Sequence, residues 1–140
     1  KDDGGHFTPD TVLGNTGGAC SCCSVQALVD ASGRLQMLYR SAGGGIHRDV
    51  MWLTAGAPTP AAPVTLQPWE LPACPMTTFS VAEGSGALVG AWMVAQQIYT
   101  ATLNPAAQTA SAPSPISGRS WRIRAWCSWA PPGSSAFSGR

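Results

Sequence analysis

Short apolar runs alternate with polar residues along this chain, and Gly, Asp, Ser or Pro punctuates nearly every one. Val25–Arg40 reads VQALVDASGRLQMLYR, and Thr78–Met93 reads TFSVAEGSGALVGAWM. Each is a short apolar strand, an acidic-Xaa-Ser-Gly turn and a second apolar strand that ends in an aromatic. Placed in register, Asp30 falls on Glu83, Ser32-Gly33 on Ser85-Gly86, Leu35 on Leu88 and Tyr39 on Trp92. A third strand follows each copy, at Asp49–Thr54 and Gln97–Leu103, and then a weaker fourth, at Ala62–Leu66 and Ala112–Ser117. No window carries a 3.6-residue apolar stripe. The apolar stretch Ala87–Ala95 is too short to cross a bilayer and falls where the repeat places a strand.

Four strands per unit, repeated about every fifty residues, is the pattern of a β-propeller blade. The expected fold is therefore all-β: a fragment, about two blades, of a six-bladed propeller. A whole ring needs at least four blades of roughly 40–50 residues each. The 140 residues hold less than that. Residues 1–14 read as the end of a preceding blade. Residues 15–66 read as a Cys-rich linker and a first complete blade, and 67–118 as a second linker and blade. Residues 119–140 (RSWRIRAWCSWAPPGSSAFSGR) have no period and read either as a genuine basic-aromatic tail or as a frameshift. The expectation is an internal piece of a longer protein, without turnover on its own.

Composition agrees with many strands and tight turns, with 16 Gly, 12 Pro and only 11% charged residues. The formal net charge of +1 gives no electrostatic case for nucleic acid or an acidic membrane surface. No cofactor motif is present, so no cofactor is expected, and no membrane insertion.

Five cysteines change the picture more. Cys20, Cys22 and Cys23 stand together in ACSCCS, and Cys74 stands in ACPM. The repeat offset puts Ser21-Cys22-Cys23 on Cys74-Pro75-Met76, so both segments precede the first strand of their units. A disulfide from Cys22 or Cys23 to Cys74 is then sterically reasonable. A thiolate metal site on Cys20, Cys22, Cys23 and Cys74 is the alternative. Free or redox thiols are the third reading, and Cys127 in the tail has no evident partner. Clustered cysteines of this kind point to an exported protein, periplasmic or secreted.

Lys1–Leu13 contains Asp2-Asp3-Gly4-Gly5-His6-Phe7. It resembles the Asp-box of sialidases, Ser-Xaa-Asp-Xaa-Gly-Xaa-Thr-Trp/Phe, with Asp2, Gly4 and Phe7 on matching positions and His6 in place of Thr. With Cys20-Ser21-Cys22-Cys23, Arg48-Asp49 and Cys74-Pro75-Met76, the chain is similar to the sialidase-like, BNR-repeat propellers of bacteria, in particular to uncharacterised exported members. The resemblance implies a glycan-binding protein or a glycoside hydrolase in the full-length chain. The sequence has no Phe-Arg-Ile-Pro signature and no identifiable Tyr-Glu pair, so no catalytic residue is assigned.

Binding candidates are Arg40, Arg48, Asp49 and Trp69. Arg40 and Arg48, near the ends of inner strands, could hold an anion. The plainer reading is that Arg48 and Asp49 form a salt bridge or cap the start of the third strand. Trp69 either stacks on a sugar face or packs beneath the loop between units. Tyr39, Trp52 and Trp92 read as core between blades. Three function classes follow: a glycan-active or glycan-binding propeller, a non-catalytic scaffold for protein interaction in the cell envelope, and a metal or redox protein using the cysteines.

Overall fold

The structure is a computed structural model, and it describes residues 4, 5, 9, 12, 13, 17–56, 62–84 and 87–117. It is all-β, with two antiparallel sheets and a single 3-10 turn at Gly43–Gly45 among the described residues. The first sheet is a meander, β1 (Gln26–Val29), β2 (Leu35–Arg40), β3 (Val50–Ala55) and β4 (Val64–Gln67). The second is a meander of β5 (Phe79–Gly84), β6 (Ala87–Val94), β7 (Gln97–Asn104) and β8 (Thr109–Ala110), with β9 (Ser114–Pro115) also on β7. No helix among the described residues is long and apolar enough to cross a membrane.

Local chemistry explains the turns. Asp30 organises the first hairpin. Its Oδ1 accepts from the backbone N–H of Ser32 at 2.9 Å and of Arg34 at 3.0 Å, while Gly33 donates its own N–H to the Asp30 carbonyl. Gly33 has φ +79, a conformation that favours glycine. Between β6 and β7, Ala95 (φ 49) and Gln96 (φ 66) form a two-residue loop in the left-handed region, the geometry that matches strand twist.

The single fourth strand expected at Ala112–Ser117 is instead two short pieces, β8 and β9, both paired with β7. Pro113, between the two pieces, has no N–H to give to a ladder, so continuous pairing breaks there. The ladder also slips by one residue between Leu103–Ala110 and Tyr99–Pro115.

The two sheets pack face to face. Leu38, Val50, Trp52 and Leu66 from the first sheet share one core with Phe79, Val81, Leu88, Trp92, Val94, Ala101 and Leu103 from the second. β2 shows strict alternation, with Gln36, Leu38 and Arg40 buried; β6 buries Leu88, Gly90, Trp92 and Val94. Gly90 lets the sheets approach, since a Cβ there would stand 3.1 Å from Leu38 Cδ1.

Pairing corrects the alignment of the repeats. With β1 laid on β5, Leu28 falls on Val81, and their partners are Gln36 and Gly90. Continuing along the strand, Leu38 corresponds to Trp92, and Tyr39 does not. The second hairpin has one more residue: 83–88 lie between the paired Ala82 and Val89, where 30–34 lie between Val29 and Leu35. Side chains alternate faces, so this one-residue slip puts half-buried Tyr39 on the face of the first sheet away from the second. Trp52 and Trp92 are in the shared core, at 1% and 2% exposed.

Candidate functional site

The linker from β4 to β5, 68–78, is where nearly all the residues singled out in the sequence converge. Cys22 is disulfide-bonded to Cys74, which ties the segment before the first sheet to the linker before the second. Cys20 and Cys23 are thiols; Cys20 is buried and Cys23 half-buried. The local fold holds them close: Cys20 donates its N–H to the Arg40 carbonyl at 2.8 Å, and Cys23 donates to the Cys20 carbonyl at 3.2 Å. Cys20 Sγ lies 3.3 Å from Cys22 Sγ, and the four sulfurs all lie within 4.8 Å of one another.

Arg40 is 1% exposed at the end of β2. Its Nε donates to Thr77 Oγ1 at 3.1 Å, its second terminal nitrogen to the Met93 carbonyl at 2.9 Å, and its first to the Arg48 carbonyl. Its guanidinium carbon lies 4.9 Å from the centre of the Trp69 ring and 5.4 Å from that of Phe79. One cation thus binds both sheets and the linker between them. Burial pushes its pKa down, and this outweighs the opposing influence of the neighbouring Cys23, Cys20 and Asp49 side chains. An arginine remains charged in any protein.

Arg48 and Asp49 make no ion pair with each other. Arg48 donates to three carbonyls instead: Ala73 at 3.1 Å, His47 at 3.0 Å and Gly45 at 2.9 Å. Asp49 Oδ1 accepts the N–H of Trp69 at 2.9 Å, so it caps the linker across the sheet edge. Backbone bonds from Arg48 to Trp69 and from Leu71 to Ile46 complete the seam. Trp69 is half-buried, its ring against Arg40 rather than presented on a rim. Arg40, Arg48, Asp49 and Trp69 are therefore one assembly, the lining of the joint between sheets, with the sulfur cluster beside it.

A second polar assembly was not singled out in the sequence beyond its turn residue. Gln36, fully buried, donates to Asp30 Oδ2 at 2.8 Å and accepts from Trp52 Nε1 at 2.9 Å and Thr54 Oγ1 at 2.8 Å. Gln108 Nε2 reaches Thr54 Oγ1 at 3.0 Å from the other sheet. Burial pushes the Asp30 carboxyl up, but hydrogen bonds from Ser32, Arg34 and Gln36 outweigh it and hold the group well below the usual carboxylate range. The legible signal was a polar residue at an inward position of an alternating strand.

Two clefts flank these assemblies. One, of ≈ 390 Å³, lies between the hairpin ends, with Asp30, Arg34, Glu83 and Asn104 in its wall. The other, of ≈ 360 Å³, is lined by Tyr39, Ser41, His47, Asp49 and Met51 on the outward face of the first sheet. In the second, Ser41 Oγ donates to the His47 carbonyl at 3.4 Å and accepts the Asp49 N–H at 2.9 Å, so the bonds shown for it are to backbone groups and not to the imidazole. Of the Asp-box-like residues, Gly4 is described, with φ +83; Asp2 and Phe7 lie outside the described residues, as do Cys127 and the tail. Comparison with protein-family models, with curated proteins and with solved structures finds no match to this chain.

Proposed function

We propose that this chain is part of an exported, sialidase-like β-propeller that works as a non-catalytic interaction scaffold. The two meanders are consecutive blades, stacked by the faces that carry Leu38 and Gly90. The observation that carries the scaffold reading is the joint itself. Arg40 and Arg48, the pair that could hold an anion, are committed instead to the carbonyls of Arg48 and Met93 and of Ala73, His47 and Gly45, and Asp49 accepts the Trp69 N–H of the linker. A guanidinium that closes a structural seam is not free to grip a substrate carboxylate. A disulfide at the same joint supports a location outside the cytoplasm, periplasmic or secreted. The ligand of such a scaffold is a protein or a glycan held by exposed surface between blades.

Arg48→Ala separates the readings. As a seam residue it lowers the melting temperature and leaves the surface chemistry intact. The scaffold reading expects no release of fluorophore from an aryl sialoside by the full-length protein, with or without the substitution. Turnover that Arg48→Ala abolishes at unchanged melting temperature would show a substrate-binding role instead.

A further inference from the structure

A disulfide accounts for only two of the four sulfurs at the joint. Cys20 and Cys23, spaced Cys-Xaa2-Cys, are turned to the same place by a tight backbone turn. All four Sγ atoms fall within 4.8 Å, although Cys74 comes from a different part of the chain. We propose that this cluster is a tetrathiolate Zn²⁺ site that forms when the Cys22–Cys74 bond is reduced.

The chemistry balances simply. A reductant delivers two electrons to the bond. With two protons, Cys22 and Cys74 become thiols, and a dithiol reductant closes into its own disulfide. On binding, the four thiols release their protons to water and the sulfurs donate to the ion. Zn–S bonds of about 2.3 Å set the sulfurs of a tetrahedron roughly 3.8 Å apart. That separation lies within the 4.8 Å spread already present, so shifts on the order of an ångström complete the site. Four thiolates around Zn²⁺ leave a net dianion in a partly buried place, and the buried Arg40 guanidinium offsets part of it. A closed, all-sulfur tetrahedral set with no redox step of its own suits a structural ion. The same residues would then tie the two sheets together in either redox state, through a covalent bond when oxidised and through the ion when reduced. This inference does not depend on the propeller reading.

The test uses the whole chain, reduced with a phosphine, since dithiols chelate zinc. Co²⁺ is titrated as a spectroscopic stand-in, and Zn²⁺ is counted by native mass spectrometry. Expected are thiolate-to-cobalt charge transfer with tetrahedral d–d bands, displacement by Zn²⁺, and one ion per chain. The oxidised chain, its bond intact, should bind far more weakly. Cys20→Ser and Cys23→Ser should each weaken Zn²⁺ binding by more than about tenfold, the loss expected even for an outer-shell partner. An octahedral cobalt spectrum, no bound ion in the reduced chain, equal binding by the oxidised chain, or unchanged affinity in both variants would each overturn the proposal. The cobalt spectrum of the unsubstituted chain decides even where a variant fails to fold.

Discussion

Gln36→Leu removes a buried polar node while nearly preserving volume, so its cost reports the hydrogen bonds rather than a cavity. Gln36 is 0% exposed and makes three side-chain bonds, to Asp30, Trp52 and Thr54. Asp30 would keep its bonds from Ser32 and Arg34, and Thr54 would keep that from Gln108. Trp52, 1% exposed, has no other partner for its indole N–H among the described residues. An orphaned buried donor costs about 1–3 kcal/mol, and each of the other lost bonds about 0.5–1.5 kcal/mol. The expected destabilisation is about 3 kcal/mol, more than a hundredfold in the unfolding constant. Urea unfolding at neutral pH, comparing midpoint and slope, measures it. Trp52→Phe removes the donor that would be orphaned. In a double-mutant cycle the two substitutions should couple by about 1–2 kcal/mol. A cost below about 0.5 kcal/mol for Gln36→Leu, or strict additivity with Trp52→Phe, would refute the network as drawn.

Other outcomes follow from the same contacts. Breaking Cys22–Cys74, which closes a loop of sequence separation 52, should lower stability by about 4 kcal/mol on the chain-entropy model. Unfolding of the Cys74→Ser chain with a chelator present checks this. Asp30 has a depressed folded-state pKa, so its stabilisation is complete above the unfolded carboxyl pKa of about 3.9. It is lost as pH falls below that value toward the folded pKa. Melting temperature followed from pH 7 to pH 3 should fall at the acid end, and Asp30→Asn should flatten that fall. Leu38→Ala, at a fully buried position facing Gly90, should cost about 2–5 kcal/mol in urea unfolding.

Strand positions were legible because a half-buried strand writes itself as alternation. The expected hairpins and third strands all lie within a few residues of β1 to β3 and β5 to β7. What alternation does not encode is the length of a turn. One extra residue in the second hairpin was enough to lay Tyr39 on Trp92 in sequence and Leu38 on Trp92 in space. The weak fourth strand was read as one run because Ala112–Ser117 is apolar enough for a strand; only β9 lies there, since Pro113 lacks a donor and β8 stands before it. The cysteine pairing was legible because equivalent points of successive repeats lie near each other when the units stack. Arg40 and Arg48 were harder. Arginine is rarely buried, and only the fold reveals that the Met93 carbonyl and the rings of Trp69 and Phe79 await Arg40, and the Ala73 carbonyl of the linker awaits Arg48. The buried role of Gln36 depends on partners from three different segments, which no single window contains.

The stacking of the two sheets through Leu38 and Gly90 is the claim on which the joint, the repeat and the proposed ring all depend. A methyl NOESY spectrum of the chain, with Leu38 assigned, tests it directly. The account expects a strong cross-peak between a Leu38 δ-methyl and Gly90 Hα, because a Cβ at Gly90 would lie 3.1 Å from Leu38 Cδ1. Cross-peaks from the Leu38 methyls to the Trp92 ring should accompany it, and none should reach the outward-facing Val89. Contact from Tyr39 to Gly90 in place of Leu38, or no contact between the sheets at all, would contradict the account.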